Sequence, residues 1–355
     1  MSNPILFSFQ TKKKGESMTD VLFFNADDIL ADYLHKTKQK KITPVLFKES
    51  LNHIDKKELA PYKKAEIISV FVHSESLDTE RLDYFKNLKL IVTRSTGFNH
   101  IDLAYCKKRG IEVLNVPRYG ETTVAEFSFG LLLNLARHII QGRNGMAHNH
   151  VEIPSYMGID LMGKTIGIIG TGSIGQHMIK LAQGFGMNVL AYDLYPKEEL
   201  KELYVSSLEE IYKKADVISL HVPSTPQNYH LLNEQAFNQM KKGVIILNTA
   251  RGDLIDTEAL YIALKKGIVG GAGLDVLENE DFLIHDDIEL KNELFKNNDF
   301  LLDSALNLKL LQFKNVIATP HIAFNSIDAL NRINETTLKN IELFLKGKIQ
   351  NSVLK

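Results

Sequence analysis

Hydrophobic residues in the first third of the chain form short runs that alternate with amphipathic stretches. The runs have the length of buried strands and lie at residues 21–24, 42–47, 67–71, 88–92 and 111–116. Between them, segments such as 78–85 and 101–108 carry apolar residues at helical spacing. This alternation is typical of a parallel sheet with helices on both faces. The first part of the chain is therefore predicted to be a small α/β domain.

The same alternation resumes after a long apolar segment at 124–140, which predicts a helix. Beyond a polar loop near 149–158, strands are predicted at 165–169, 188–192, 217–220, 244–247, 269–275 and 316–318. One helix is predicted to follow the strand at 165–169 and to end at residue 185. Further helices are predicted at 208–214, 234–240, 258–266 and 327–345. The mixed, charged residues 280–313 predict a long loop with short helices. The predicted fold class is α/β, with two doubly wound parallel-sheet domains.

Composition limits the possible partners. At 355 residues, 44% of them hydrophobic, the chain is long enough for two domain cores. Its formal net charge of −1 favours neither nucleic acid nor an anionic membrane as a partner. The longest apolar stretch, at 127–136, is too short to span a bilayer.

Two features predict a cytoplasmic protein. The one cysteine, Cys106, excludes an internal disulfide and suits a reducing compartment. At the N-terminus an apolar run at 5–9 precedes three lysines at 12–14, whereas a signal peptide places its charge before a longer apolar stretch. Met18 is an alternative start, in which case the residues before it form a loose tail.

A glycine-rich loop follows the predicted strand at 165–169 and consists of Gly170, Thr171, Gly172, Ser173, Ile174 and Gly175. In this motif the first glycine allows a tight turn, the second lets backbone approach a pyrophosphate, and the third lets the helix pack on the strand. The N–H groups at the start of the helix face the phosphates. The loop predicts a dinucleotide-binding domain, and because it starts only at Gly170, another folded unit must precede that domain.

Asp193 ends the next predicted strand, close to the spacing of about 20 residues expected for the acid that binds the ribose hydroxyls. A carboxylate there repels the 2′-phosphate of NADP, and no arginine lies nearby in the sequence. The alternative, a solvated carboxylate at a strand end, does not account for this placement. NAD is therefore the predicted cofactor.

Four polar residues follow predicted strands of the second domain, namely Arg251, Asp275, Glu280 and His321. The carboxyl ends of parallel strands share one edge of the sheet, so we expect these side chains at one site. A guanidinium can hold the carboxylate and carbonyl of a 2-keto acid, an imidazole can donate a proton, and a carboxylate can keep that imidazole charged. The set predicts an enzyme that acts on 2-keto acids.

Three of these four residues also have an ordinary alternative. Arg251 is placed to pair with Asp253, Glu280 belongs to an acidic run typical of a solvated loop, and His321 lies between apolar neighbours. Their joint position behind a cofactor loop favours the site. The pair His148 and His150 resembles a metal pair, but no cysteine or third histidine is placed to complete it, so no metal site is predicted.

An ordered set of motifs resembles the D-isomer-specific 2-hydroxyacid dehydrogenase family, and most closely its D-lactate dehydrogenase branch. The motifs are 93–102 (TRSTGFNHID), 115–117 (NVP), 124–126 (VAE), 170–175 (GTGSIG), 221–223 (HVP), 248–252 (NTARG), 273–276 (GLDV) and 319–321 (TPH). The resemblance extends from residue 21 to the last helix. It implies a Rossmann NAD domain at 119–318, inserted into a flavodoxin-like substrate-binding domain made of 1–118 and 319–355.

The resemblance also implies roles for individual residues. Arg251 would hold the substrate carboxylate and carbonyl, and His321 would donate the proton. Glu280 would hydrogen-bond His321 and raise its pKa above the usual value of about 6.5. The amides of Thr96 and Gly97 would bind the carboxylate. Tyr119 and Phe324 would surround a small substrate, with ordinary core packing as the alternative. Asp275 would contact the nicotinamide carboxamide. The other residues that would contact the cofactor are the glycine loop, Asp193, His221, Val222, Pro223, Thr249 and Ala250.

The expected activity is the reversible, NADH-dependent reduction of a small 2-keto acid, pyruvate, to D-lactate. Alternatives are a bulkier or a glycerate-type substrate, or an NADH-sensing corepressor that binds protein partners. The apolar helix at 124–140 predicts burial either against a partner, and hence a homodimer, or within the chain. Substrate side-chain preference and physiological direction are left undecided by the sequence.

Overall fold

The computed structural model describes residues 18–38, 41–71, 77, 79–280 and 298–354. The chain divides into two compact units, one made of Met1–Tyr119 with Asn325–Lys355 and the other of Gly120–Phe324. The second unit is thus inserted between two parts of the first. The predicted N-terminal tail lies outside the described residues, as do residues 281–297 of the loop predicted at 280–313, whose later part contains a helix at Asn298–Leu310.

The first unit is built on a five-stranded parallel sheet in the order β2-β1-β3-β4-β5, the flavodoxin-like order. Its strands are β1 (Thr19–Phe23), β2 (Ile42–Leu46), β3 (Ile67–Val70), β4 (Leu90–Thr93) and β5 (Glu112–Leu114). Its helices are α1 (Asp28–Thr37), α2 (Lys56–Leu59), α3 (Thr79–Tyr84), α4 (Leu103–Arg109) and the C-terminal helix Ile327–Phe344.

Both faces of this sheet are buried. Along β1, Leu22 packs into one hydrophobic cluster, while Val21 and Phe23 pack into another. The C-terminal helix contributes Ile341 to the second cluster, and it begins where the Ser326 Oγ accepts a hydrogen bond from the Ala329 N–H at 3.1 Å. Strands buried on both faces are apolar throughout, which is why short apolar runs predicted them.

The second unit is built on a six-stranded parallel sheet in the order β11-β10-β9-β8-β6-β7. Its strands are β6 (Thr165–Ile169), β7 (Asn188–Tyr192), β8 (Val217–Leu220), β9 (Val244–Asn248), β10 (Val269–Leu274) and β11 (Val316–Ala318). Its helices are α5 (Glu121–Arg137), α6 (Ile139–Ala147), α7 (Ser173–Gly184), α8 (Leu208–Lys214), α9 (Glu234–Phe237), α10 (Thr257–Lys265) and α11 (Asn298–Leu310).

Next to β7, an isolated parallel bridge joins Tyr204 to Ala191, and the Val205 N–H donates to the Ala191 carbonyl at 3.0 Å. The bridge occupies the place of the third strand of a Rossmann sheet, whose order is 3-2-1-4-5-6. The predicted fold class, two parallel-sheet α/β domains, is confirmed.

The predicted helix at 124–140 is two helices in the structure. His138 adopts a left-handed conformation (φ 52°), which ends α5 at Arg137 and separates it from α6. The apolar residues of α5 are covered by the chain's own sheet. A Cβ added to Gly273 of β10 would lie 3.0 Å from the Leu131 Cβ, so glycine allows this close packing.

The unit boundaries differ from the predicted ones by one residue near 119 and by six residues near 319. Residues 319–324 belong to the second unit because Asp275, just after β10, holds them. Its carboxylate accepts hydrogen bonds from the Ile322 N–H at 3.0 Å and the Ala323 N–H at 2.7 Å. The stretch that carries His321 is thereby attached to the sheet of the second unit.

Candidate active site

The glycine loop has the shape that a dinucleotide needs. Gly170 adopts φ 96°, and a Cβ there would lie 2.5 Å from the His221 carbonyl oxygen. A Cβ on Gly175 would overlap the Gly170 carbonyl oxygen, whereas Gly172 has open space around its Cβ position. α7 begins at Ser173, and the first N–H groups of a helix have no partner within it. These residues fit a bound pyrophosphate.

Asp193 directly follows β7 and lies beside the loop. Its Oδ2 accepts hydrogen bonds from the Thr171 N–H at 2.6 Å and the Thr171 hydroxyl at 3.0 Å, and its Oδ1 accepts from the Tyr195 N–H at 2.9 Å. The side chain is only half-buried, so the carboxylate can also accept from ribose hydroxyls. The residues present therefore fit NAD.

The predicted segment His221, Val222 and Pro223 follows β8 and lies against the glycine loop. Val222 Cγ1 lies 2.8 Å from the Gly170 Cβ position. The His221 Nε2 lies 2.9 Å from the Ser219 Oγ, and desolvation lowers the pKa of His221 to about 4. The ring is consequently neutral near pH 7.

Arg251 lies in a loop that the buried side chain of Asn248 shapes. The Asn248 Nδ2 donates to the Arg251 carbonyl at 2.7 Å, and its Oδ1 accepts from the Ala250 N–H at 3.0 Å. The exposed Arg251 side chain donates through Nη1 to the Ala250 carbonyl at 2.6 Å. The Thr249 and Ser128 hydroxyls lie 2.7 Å apart.

Gly252 brings this loop against the loop that follows β10. A Cβ on Gly252 would overlap the Leu277 carbonyl group, so a larger residue would push the two loops apart. Glu280 belongs to that second loop, and its Oε2 accepts from the Leu277 N–H at 2.9 Å. The structure thus places the Arg251 loop and the Glu280 loop in direct contact.

His321 and Glu280 form a pair, with the imidazole Nδ1 2.8 Å from the Glu280 Oε1. His321 follows β11 in a left-handed conformation (φ 53°), and its N–H donates to the Asp275 carbonyl at 2.9 Å. About a third of the side chain is exposed (32%). The Glu280 carboxylate thus fixes the orientation of the imidazole ring through Nδ1.

The Asp275 carboxylate is buried and accepts hydrogen bonds from neighbouring groups of the chain. Besides the two backbone N–H groups described above, its Oδ1 accepts from the Thr319 hydroxyl at 2.5 Å. Burial raises the pKa of Asp275, and these hydrogen bonds partly oppose the shift. Its carboxylate therefore holds the segment that carries His321, while the predicted contact with the nicotinamide carboxamide stays a prediction.

Three of the predicted substrate residues lie in the first unit. The loop after β4 is fixed by the Asn115 Nδ2, which donates to the Thr96 carbonyl at 2.9 Å, and by the Ser95 hydroxyl, which donates to the Gly97 carbonyl at 2.6 Å. The Tyr119 carbonyl accepts from the Arg332 Nε at 2.7 Å. Phe324 belongs to the second unit and is buried (8% exposed).

The structure contains a second histidine–glutamate pair, which the sequence pattern did not indicate. Glu278 belongs to the same acidic run as Glu280 but is buried. Its Oε1 accepts from the Tyr229 hydroxyl at 2.9 Å and lies 2.8 Å from the His230 Nε2. The Thr257 hydroxyl donates to its Oε2 at 3.2 Å. Burial and the Glu278 carboxylate raise the pKa of Tyr229 to about 12. These contacts hold the loop that carries Glu280.

His148 and His150 have other partners than a metal. The His148 Nδ1 lies 2.8 Å from the Asn144 carbonyl oxygen, and the His150 Nε2 lies 3.5 Å from the Glu152 Oε1. Within the described ranges, the structure contains no group of three or more His, Cys, Asp or Glu side chains arranged for a metal. Over the same residues, no helix is both long enough and apolar enough to cross a membrane.

Known proteins resemble this chain over most of its length. The family model for the NAD binding domain of D-isomer specific 2-hydroxyacid dehydrogenases matches residues 129–323. The D-lactate dehydrogenase of Escherichia coli is 40% identical over 289 residues, 80% of this chain and 84% of that protein. An aromatic 2-oxoacid reductase of Clostridium sporogenes is 39% identical over 78% of this chain and 83% of its own.

A solved structure is also similar. The D-lactate dehydrogenase from Aquifex aeolicus, complexed with NAD and lactic acid, matches with a TM-score of 0.77 and 39% identity over 94% of this chain and 99% of that one. The family model and these relatives place the chain among the NAD-dependent dehydrogenases. The chain belongs to the D-isomer specific 2-hydroxyacid dehydrogenase family. The predicted family and the predicted cofactor, NAD, are confirmed.

Proposed function

We propose that this dehydrogenase reduces pyruvate to D-lactate, with His321 as the proton donor. The observation that carries the proposal is the His321–Glu280 pair, whose Nδ1 and Oε1 lie 2.8 Å apart on loops that follow β11 and β10. The Arg251 loop packs directly against the Glu280 loop. A cation for the substrate and a proton donor therefore follow β9 and β11, the two strands that flank β10, at the edge where doubly wound sheets bind ligands.

In the proposed mechanism, NADH supplies a hydride to C2 of the keto acid when both are bound. Negative charge develops on the carbonyl oxygen, and the Arg251 guanidinium stabilises it. The His321 Nε2 donates a proton to that oxygen. Glu280 stabilises the imidazolium before the transfer and fixes the ring through Nδ1. In the oxidative direction, neutral His321 accepts the proton from the hydroxyl group.

The proposed substrate contacts come from rigid backbone and aromatic side chains. We assign the carboxylate to the N–H groups of Thr96 and Gly97, whose carbonyls are already engaged by Asn115 and Ser95. Fixed donors bind a carboxylate without an ordering cost. Tyr119 and Phe324 are proposed to limit the size of the side chain at C2, which favours the methyl group of pyruvate.

For the cofactor, we assign Asp193 to the ribose hydroxyls and the glycine loop to the pyrophosphate. His221, Val222 and Pro223 lie along the loop and are proposed to contact the nucleotide with Thr249 and Ala250. Asp275 is proposed to face the carboxamide. We also propose a cytoplasmic location, because Cys106 is buried and the chain has no second cysteine with which to form a disulfide.

A bulkier substrate is the second candidate, because a relative named an aromatic 2-oxoacid reductase is 39% identical. The test is a comparison of kcat/KM for pyruvate, hydroxypyruvate and phenylpyruvate with NADH. We expect pyruvate to exceed the others by at least about tenfold, the discrimination that a pocket provides against added groups. A preference for phenylpyruvate would contradict the pyruvate proposal, and tight NADH binding without turnover would favour the NADH-sensing alternative.

We propose a homodimer, on a different surface from the one that the sequence suggested. α5 is covered within its own chain, but large apolar side chains are exposed in and after α6. Three of them, Ile153, Met157 and Met162, are 78%, 80% and 79% exposed. The others are Ile139, Ile140, Met146, Val151 and Ile159. An apolar surface of this extent is typical of an interface, and most soluble oligomers are symmetric homo-oligomers.

Sedimentation velocity tests the dimer. We expect the wild type at twice the 40.1 kDa chain mass and the double variant Ile153→Lys, Met157→Lys at the chain mass, because two buried charges oppose association. Ile349→Lys, at an exposed position of the first unit (57%), is the control and should leave the dimer intact. A monomeric wild type would contradict the proposal.

A further inference from the structure

A row of hydrogen bonds leads from the bridge beside β7 to Asp193. The Lys197 N–H donates to the Tyr204 hydroxyl oxygen at 3.0 Å. The Tyr204 and Thr171 hydroxyls lie 2.6 Å apart, and the Thr171 hydroxyl donates to the Asp193 Oδ2 at 3.0 Å. All four residues belong to the second unit.

The chemistry of the groups sets one direction for this row. A carboxylate only accepts hydrogen bonds, so the Thr171 hydroxyl uses its single proton on Asp193. Thr171 must then accept from Tyr204, which uses its own proton in that bond. The Tyr204 oxygen is left to accept from the Lys197 N–H. Each hydroxyl thus donates once and accepts once, and the row ends on the carboxylate.

The fold explains why a tyrosine reaches this position. Where a Rossmann sheet has its third strand, this chain has the single bridge between Tyr204 and Ala191. Ala191 precedes Asp193 by two residues in the neighbouring strand, so the bridge sets Tyr204 beside the end of β7. The half-buried Tyr204 side chain then extends to Thr171 in the glycine loop.

We propose that Tyr204 is a positioning residue that sets the preference for NADH over NADPH. Acting through Thr171, it holds the Asp193 Oδ2, while the Tyr195 N–H holds the Oδ1. A 2′-phosphate is accommodated only if the carboxylate turns away from it, and the held carboxylate resists that rotation. The inference rests on the proposed role of Asp193 at the ribose.

The test measures equilibrium binding of NADH and NADPH, without substrate, by the fluorescence of the reduced cofactor. In Tyr204→Phe, we expect the ratio of the NADPH Kd to the NADH Kd to fall about fivefold, the effect of one neutral hydrogen bond. Tyr212→Phe is the matched control, because its hydroxyl lies 3.5 Å from the Leu231 carbonyl oxygen, away from this row. Its ratio should equal that of the wild type.

A second variant tests the same row of hydrogen bonds without changing Tyr204. Thr171→Val removes the hydroxyl that links Tyr204 to Asp193 and should lower the Kd ratio similarly. The double variant with Tyr204→Phe should lower it no further, because both changes break the same row. Additive effects would overturn the inference.

Asp193→Ala tests the role of Asp193 at the ribose separately from the positioning role of Tyr204. If Asp193→Ala lowers the Kd ratio while Tyr204→Phe and Thr171→Val leave it at the wild-type value, Asp193 binds the ribose but Tyr204 does not position it. If Asp193→Ala also leaves the ratio unchanged, the role of Asp193 and the inference are both overturned.

Discussion

Two aspartates at the carboxyl edge of the same sheet are used in opposite ways. Asp193, after β7, and Asp275, after β10, each accept hydrogen bonds from a neighbouring hydroxyl and from backbone N–H groups. Asp193 is half-buried and keeps a face for a ligand, whereas Asp275 is 1% exposed. Burial therefore decides how much of a carboxylate at a strand end is open to a ligand and how much of it holds the neighbouring segment.

The largest expected effect comes from the residue that Asp275 holds in place. His321→Gln should lower kcat/KM for pyruvate reduction by about 10²- to 10⁴-fold, the usual contribution of a general acid. The Kd of NADH should stay near the wild-type value, since the cofactor loop is on other strands. Steady-state kinetics together with a fluorescence titration measure both. Activity within a factor of two of the wild type would exclude His321 as the proton donor.

The next-largest effect is on stability, where the two aspartates should differ. Asp275→Ala leaves three donors without their acceptor and should lower the free energy of unfolding by about 2–4 kcal/mol. Asp193→Ala, at a half-buried site, should change it by less than about 1 kcal/mol. Urea denaturation measures both variants. Equal decreases in the free energy of unfolding would contradict the different roles of the two aspartates.

The decrease in the free energy of unfolding caused by Asp275→Ala should depend on pH. Burial raises the pKa of Asp275 above its unfolded value of about 3.9, so the folded state binds the proton more tightly. Its contribution to stability is full below the unfolded pKa and declines as pH rises through the raised folded pKa. The deficit of Asp275→Ala should therefore be larger near pH 4 than near pH 7.

Asp193 should show its effect in cofactor choice instead. Asp193→Ala should narrow the ratio of kcat/KM for NADH over NADPH by about tenfold or more, because a hydrogen-bonding charge is lost and a repulsion is removed. Parallel assays with the two cofactors measure the ratio. Asp275→Ala serves as the comparison, since it should reduce both values without favouring NADPH. An unchanged ratio in Asp193→Ala would contradict its assignment.

The smallest expected change is in the rate of pyruvate reduction. Glu280→Gln keeps the side-chain shape but removes the charge 2.8 Å from the His321 Nδ1. The weaker hydrogen bond holds the imidazole less firmly, so reductive kcat/KM should decrease by about fivefold. Steady-state assays with NADH measure it, and a value equal to that of the wild type would count against the pair.

The sequence was sufficient for features that depend on local pattern. Apolar runs located strands such as β6 and β8 to the residue, and the glycine motif with Asp193 identified the cofactor. Helix ends were less well predicted. The break at His138 depends on one left-handed residue within a continuous apolar pattern, which hydrophobic spacing does not register.

The parts that the sequence did not predict depend on contacts between distant segments. Glu278 resembles any acidic loop residue until Tyr229, His230 and Thr257 surround it. The attachment of Ile322 and Ala323 to Asp275 likewise joins residues nearly 50 positions apart, and it moves the unit boundary to residue 324. The contact of Tyr204 with Thr171 likewise joins residues 33 positions apart, one at the single bridge beside β7 and the other in the glycine loop.

If the His321–Glu280 pair and Arg251 serve the reduction of pyruvate at this sheet edge, the product is D-lactate. Chiral analysis of the product formed from pyruvate and NADH is the decisive measurement. We predict D-lactate in an amount equal to the NADH consumed, and its loss in His321→Gln. Formation of L-lactate, or NADH binding with no lactate formed, would exclude the proposed function.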